Sequence, residues 1–93
     1  MFDRILKCFQ DKIREQNYIM TLHAEEEMNN EELTIWDVEY CILTGEIIER
    51  QKDRITSEWK YRIQGQAFDG LEIETIVKLS STGKLVFITV YTV

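Results

Sequence analysis

Apolar and polar positions divide the chain into three helical stretches followed by four extended ones. From Phe2 to about Asn17, the residues Phe2, Ile5, Leu6, Phe9 and Ile13 recur at spacings of three and four. That stripe predicts an amphipathic helix. Arg4, Lys7, Gln10, Asp11, Arg14 and Glu15 cover its other side, and Asp3 is placed to cap its start. Tyr18-Ile19-Met20 is a short apolar stretch. Thr21 then offers a cap for a helix of about two turns, Leu22 to Asn29, on which His23 and Glu27 share one face and Ala24 and Met28 another. Asn29-Asn30-Glu31-Glu32 is a polar break. Thr34-Ile35-Trp36-Asp37 has the spacing of a capping box, with Asp in place of Glu. It opens a third helix running through Val38, Ile42 and Leu43 to Thr44-Gly45, where Gly45 is expected in the left-handed closing conformation. Ile35, Val38 and Ile42 form its inward stripe, and Trp36 and Tyr40 a second one.

Beyond Gly45 the period changes to two. Glu46 to Arg50 reads as a short strand. Trp59-Lys60-Tyr61-Arg62-Ile63-Gln64-Gly65 alternates cleanly, with Lys60, Arg62 and Gln64 on one face. Asp69-Gly70 marks a hairpin before a strand from Leu71 to Leu79. Ser80 to Lys84 is a further turn. Leu85 to Tyr91 is apolar on both faces, as a central strand covered by helices on one side would be. The expected architecture is one α+β domain over residues 1–93, its N-terminal helices packed on a four-stranded, mostly antiparallel sheet.

Composition narrows the function classes. The chain has 93 residues, 44% hydrophobic and 30% charged, which suits a small globular core. No apolar run approaches the roughly 20 residues of a membrane span, and the N-terminus lacks a signal-peptide pattern. A cytoplasmic location without membrane association is therefore expected. The net charge of −6 argues against an extended nucleic-acid surface but leaves room for a small basic pocket. The four glycines are scattered, so there is no phosphate loop. One histidine and two unpaired cysteines, Cys8 and Cys41, make neither a zinc site nor a disulfide scaffold. Both cysteines read as small inward-facing hydrophobes, and no metal or cofactor is expected.

Candidate chemistry is sparse. His23 is the natural acid or base, with Glu27 placed to orient its ring; it could equally be a solvent-facing histidine near a helix start. Lys60 and Arg62 are a same-face cationic pair that either clamps a phosphate or decorates a solvated sheet face. Lys78 shares the polar side of its strand with Glu72 and Glu74, and cross-strand ion pairs would account for these charges without any activity. Tyr91 either donates a proton, stacks on a base or is structural.

Several segments together resemble the domain-of-unknown-function family 4258. They are His23-Ala24-Glu25-Glu26-Glu27-Met28, Leu33 to Glu39, Ile42 to Glu49, Trp59 to Gly65 and Ile88 to Tyr91, and the resemblance spans roughly residues 19–93. It implies the fold of RelE-like and barnase-like ribonucleases and a role as the RNA-cleaving toxin of a toxin–antitoxin pair. It also implies an RNA substrate and a small zinc-finger, antitoxin-like protein partner. His23 matches the family histidine, and Lys60, Arg62 and Tyr91 match polar strand positions. Glu27, and Glu31 nearby, stand where many relatives carry arginine. The expected activity is metal-independent endoribonuclease action with His23, Glu27, Lys60, Arg62 and Tyr91 as the working residues. The alternative is a non-catalytic protein-interaction domain or an inactive relative of the nuclease fold. Self-association through a sheet edge is a further expectation.

Overall fold

The computed structural model describes residues 2–93; Met1 lies outside them. The elements follow in the order α1 (Asp3–Arg14), β1 (Tyr18–Met20), α2 (Leu22–Asn30), α3 (Ile35–Thr44), β2 (Glu46–Lys52), β3 (Trp59–Gln66), β4 (Glu72–Leu79) and β5 (Leu85–Thr92). The architecture is α+β, with the three helices and four later strands where the periodicity puts them. The sheet, however, has five strands in the order β1-β5-β4-β3-β2, not four. Tyr18–Met20 supplies the extra one. It pairs parallel with β5 through Tyr18–Leu85, Ile19–Val86 and Met20–Phe87, while the other neighbours are antiparallel. Three residues are too few to show a period, and their partner lies at the far end of the chain.

The core lies between the helices and one face of the sheet. Phe9 and Ile13 of α1, Ala24 and Met28 of α2, and Val38, Cys41 and Ile42 of α3 meet Tyr61, Ile63, Ile73, Val77, Leu85, Phe87 and Val90. Two glycines let α3 rest directly on the β2–β3 hairpin. Gly45 is extended (φ −94°, ψ −175°) rather than left-handed, which corrects the expectation for it. A Cβ there would sit 2.4 Å from the Cys41 carbonyl oxygen, and one on Gly65 would sit 2.2 Å from the same atom. Both positions are glycine because backbone approaches backbone.

The helix ends are built from local hydrogen bonds. Asp3 is not the cap of α1: Phe2 holds that position without a side-chain bond, and Asp3 lies in the first turn, where negative charge favours the helix dipole. Thr21 Oγ1 accepts from the Ala24 N–H (3.2 Å) and donates to the Phe87 carbonyl (2.8 Å), tying the start of α2 to β5. The capping box of α3 is complete. Asp37 Oδ2 accepts from the Thr34 N–H (2.8 Å), while its Oδ1 accepts from the Phe68 N–H (2.9 Å) and so holds the β3–β4 turn as well. Trp36 is exposed rather than inward, and Tyr40 packs on Phe68 with ring centroids 5.1 Å apart.

Alternation along the strands sends Lys60, Arg62, Glu74, Lys78 and Tyr91 to the face away from this core. The loop of residues 53–58, between β2 and β3, folds across part of that face. Among the described residues, no helix is long and apolar enough to cross a membrane.

Candidate functional site

The open face carries a polar network with one member from each of four strands. Glu74 on β4 lies opposite Tyr91 on β5, and Glu49 on β2 opposite Arg62 on β3. Arg62 Nε donates to Glu74 Oε1 at 2.6 Å, its Nη1 donates to Glu49 Oε1 at 3.3 Å, and the Tyr91 hydroxyl donates to Glu74 Oε1 at 2.7 Å. Glu74 is only 5% exposed, and among the described residues it is the one buried charged side chain. A carboxylate in that position needs partners to remain ionised. The Arg62 hydrogen bond holds its pKa below the ordinary value against the upward pull of burial, and the Tyr91 hydroxyl adds to the lowering. The complementary shifts follow. Arg62 is raised, chiefly by Glu74, and Tyr91 is raised by burial and then by its bond to the same carboxylate. With one guanidinium between two carboxylates, the network carries an excess negative charge.

His23 and Glu27 do share a face of α2. His23 Nε2 lies 3.2 Å from Glu27 Oε1, and the histidine is largely exposed. That same Oε1 accepts from the Val90 N–H at 3.2 Å. One turn on, Glu31 Oε2 accepts from the Thr92 hydroxyl at 2.9 Å. β1 stops at Met20, opposite Phe87, so the outer edge of β5 beyond that point has no strand beside it. Glu27 and Glu31 take over there as acceptors, which is a structural use for glutamate at these two positions.

The five residues singled out in the sequence therefore fall into three groups. Arg62 and Tyr91 meet on Glu74. His23 and Glu27 form a pair beside β5, where Glu27 accepts from the Val90 N–H next to Tyr91. Lys60 is held elsewhere, its Nζ 3.4 Å from Asp53 Oδ2 in the 53–58 loop. Lys78 makes the matching pair with Glu58 of the same loop, also at 3.4 Å. Cross-strand and loop ion pairs thus take up the charges of Lys60, Arg62 and Lys78.

Sequence reading missed Glu74 as the centre of the open-face network, and it missed Glu49, Asp53 and Glu58. The available signal for Glu74 was its place on the polar side of β4, but its importance depends on the register with β3 and β5. The Tyr18–Glu39 hydrogen bond (2.6 Å) was also not foreseen. Cys41 is fully buried, its thiol donates to the Ile73 carbonyl at 3.7 Å, and burial pushes its pKa up to about 12, so it stays protonated. Cys8 is only half-buried.

Fold and site together define a small α+β domain with a mixed sheet, one face under helices and the other carrying a buried carboxylate bridged to an arginine and a tyrosine. Residues 20–92 match the family described as a domain of unknown function (DUF4258), and the chain belongs to that family. No curated protein and no solved structure matches it.

Proposed function

We propose that this domain is a metal-independent endoribonuclease on a RelE-like or barnase-like fold, acting as the toxin of a toxin–antitoxin pair. The observation that carries the reading is the bridge at Glu74, where one nearly buried carboxylate oxygen orients both the guanidinium of Arg62 and the phenol of Tyr91 on the open sheet face. The Tyr91 proton is spent on Glu74, but Arg62 keeps its Nη2 donors, and a guanidinium oriented in this way suits a reaction in which negative charge grows on phosphate oxygens. In the proposed reaction the ribose 2′-oxygen attacks the adjacent phosphorus. The 2′-hydroxyl gives up its proton, the bond to the 5′-oxygen breaks, and that oxygen takes a proton as it leaves. The His23–Glu27 pair at the β5 edge supplies proton transfer, with Glu27 orienting the imidazole. Arg62 stabilises the phosphorane-like charge and Tyr91 assists it. Glu74 is a positioning residue acting through both, and the products are a 2′,3′-cyclic phosphate and a 5′-hydroxyl.

A specific observation favours a second reading, a non-catalytic protein-interaction domain. Lys60, Arg62 and Lys78 each already carry a carboxylate partner. One experiment separates the two: incubation of the purified protein with a structured RNA, with fragment ends identified. The nuclease reading expects cyclic-phosphate ends, about 10²- to 10⁴-fold slower cleavage by His23→Ala, and suppression by a small zinc-finger partner protein. Intact RNA in the presence of folded wild-type protein rejects catalysis and leaves the interaction reading.

A further inference from the structure

The loop of residues 53–58 lies over a feature that the proposed reaction does not use. Lys60 precedes Tyr61 and Lys78 follows Val77, and Tyr61 and Val77 are paired in the antiparallel β3–β4 ladder. The two lysines are thus cross-strand neighbours on the open face. Like charges placed directly opposite repel, so the arrangement needs an anion between or beside them. The loop provides two. Asp53 Oδ2 reaches Lys60 at 3.4 Å, and Lys78 lies 3.4 Å from both carboxylate oxygens of Glu58.

These contacts are loose. Charge-assisted bonds between an ammonium and a carboxylate settle near 2.7–2.9 Å, and in this protein Arg62 meets Glu74 at 2.6 Å. The loop is otherwise closed on itself. The Asp53 N–H donates to the Glu58 carbonyl (2.8 Å), the Ser57 N–H donates to the Asp53 carbonyl (2.9 Å), and Asp53 Oδ1 accepts from the N–H groups of Ile55 (2.8 Å) and Thr56 (3.1 Å). Among the described residues, its side-chain polar attachments to the sheet are the two lysine pairs. Between loop and sheet lies a cavity of about 330 Å³, walled by Thr21, Val86 and Ile88 as well as by both lysines and the loop. Val86 is 9% exposed yet stands outside the main core cluster, because this loop rather than a helix shields it.

We infer that Lys60 and Lys78 form a phosphate-binding site which residues 53–58 hold closed as an acidic strap, Asp53 and Glu58 standing where phosphate oxygens would sit. The site takes a phosphoryl dianion or a phosphodiester, and the ligand displaces the two carboxylates as the loop swings aside, without β3 and β4 having to unpair. The Thr56 hydroxyl on the strap adds a donor to the cavity. The inference stands apart from strand cleavage, since binding at the two lysines requires neither His23 nor Arg62.

Calorimetric titration of the intact protein tests it with two probes, inorganic pyrophosphate and a five-nucleotide 2′-O-methyl RNA that cannot be cleaved through its 2′-oxygen. Asp53→Asn combined with Glu58→Gln, which keeps the Oδ1 acceptor of the loop turn, should tighten binding of at least one probe about tenfold, because two part-exposed ion pairs no longer have to be broken. Adding Lys78→Met should abolish that gain. Tightening with pyrophosphate alone marks a site for a small phosphate compound, and tightening with the oligonucleotide marks one for a nucleic-acid backbone. Glu58→Gln alone, at a part-exposed position, should show a smaller gain and guards against loss of fold in the double variant. Glu25→Gln with Glu26→Gln makes the same change in net charge on the solvated face of α2. An equal gain in that control, or no gain in the strap variants, overturns the inference.

Discussion

At the residue scale, two glycines with different reasons for being glycine make a controlled pair. A Cβ on Gly65 would lie 2.2 Å from the Cys41 carbonyl oxygen and 2.9 Å from its carbonyl carbon, both helix backbone atoms that cannot turn aside. Gly65→Ala should therefore push α3 off the sheet and cost about 3 kcal/mol or more, since overpacking against backbone lies at the upper end of its range. Gly70 has open space around it but a φ of +91°. Gly70→Ala should cost only about 1 kcal/mol, from strain alone. Urea unfolding of the two variants beside the wild type checks the order. Equal losses would mean that α3 does not approach β3 as closely as described. In the sequence Gly45 reads as a helix end and Gly70 as a turn, while Gly65 falls in the alternating run from Trp59. The reason that Gly45 and Gly65 must be glycine was not legible, because close approach between a helix and a hairpin is set by tertiary packing and leaves no trace in local composition.

At the scale of the element, α1 and α2 end in the same way. Gln16 (φ 55°) and Glu32 (φ 57°) occupy the left-handed position after each helix. The Asn17 N–H donates back to the Lys12 carbonyl (2.8 Å), and the Leu33 N–H to the Met28 carbonyl (2.8 Å). This is the Schellman closure, which usually employs glycine. A side chain in that conformation costs about 1–2 kcal/mol, and the extra chain entropy of glycine offsets only about half of it. Gln16→Gly and Glu32→Gly should each stabilise the fold by about 0.5–1 kcal/mol, while Glu26→Gly, inside α2, should destabilise it by about 1 kcal/mol. Thermal melts of the three variants would show the reversal of sign. The helices and β2 to β5 were legible because period and capping residues are local: Thr34 and Asp37 announced α3, and both ends of their box are formed. β1 was not legible, since its pairing with Leu85–Phe87 is a matter of topology. The site was legible in part. The polar face of β3 identified Lys60 and Arg62, but their partners Asp53, Glu49 and Glu74 depend on loop path and strand register.

For the whole molecule, stability should form a plateau bounded by carboxylates on the acid side and by a buried thiol and two tyrosines on the alkaline side. Asp53 is lowered from 3.8 to about 2, first by the N–H groups of Thr56 and Ile55 and then by Lys60. Glu74 is lowered by Arg62. At Asp37 burial pulls upward, but the hydrogen bonds from Thr34 and Phe68 outweigh it and the net shift is downward. A group depressed on folding stabilises fully above its unfolded pKa and loses that contribution as pH falls through its folded value. The acid limb should therefore begin near pH 4 to 4.5, where unfolded carboxylates titrate, and deepen toward about pH 2, the folded value of Asp53. Tyr18 and Tyr91 are raised above their ordinary 10.0, each by burial and then by donating to a glutamate. Their contribution is complete below pH 10 and declines above it, as the folded state resists losing those protons, and the Cys41 thiol, raised by burial from 9.0 to about 12, brings the start of the alkaline limb forward to about pH 9. Between the limbs, none of these shifts should tilt the plateau. Glu74→Gln should lower the plateau by about 2–3 kcal/mol, because Arg62 and Tyr91 keep an acceptor but lose the buried charge. It should also flatten the acid limb, since the unfolded state no longer takes up a proton that the folded state refuses. Unfolding free energies measured from pH 2 to pH 11 on both proteins test this. An acid limb of unchanged steepness in the variant would show that Glu74 is not held ionised by Arg62 and Tyr91, and the preorganised centre of the proposed site would go with it.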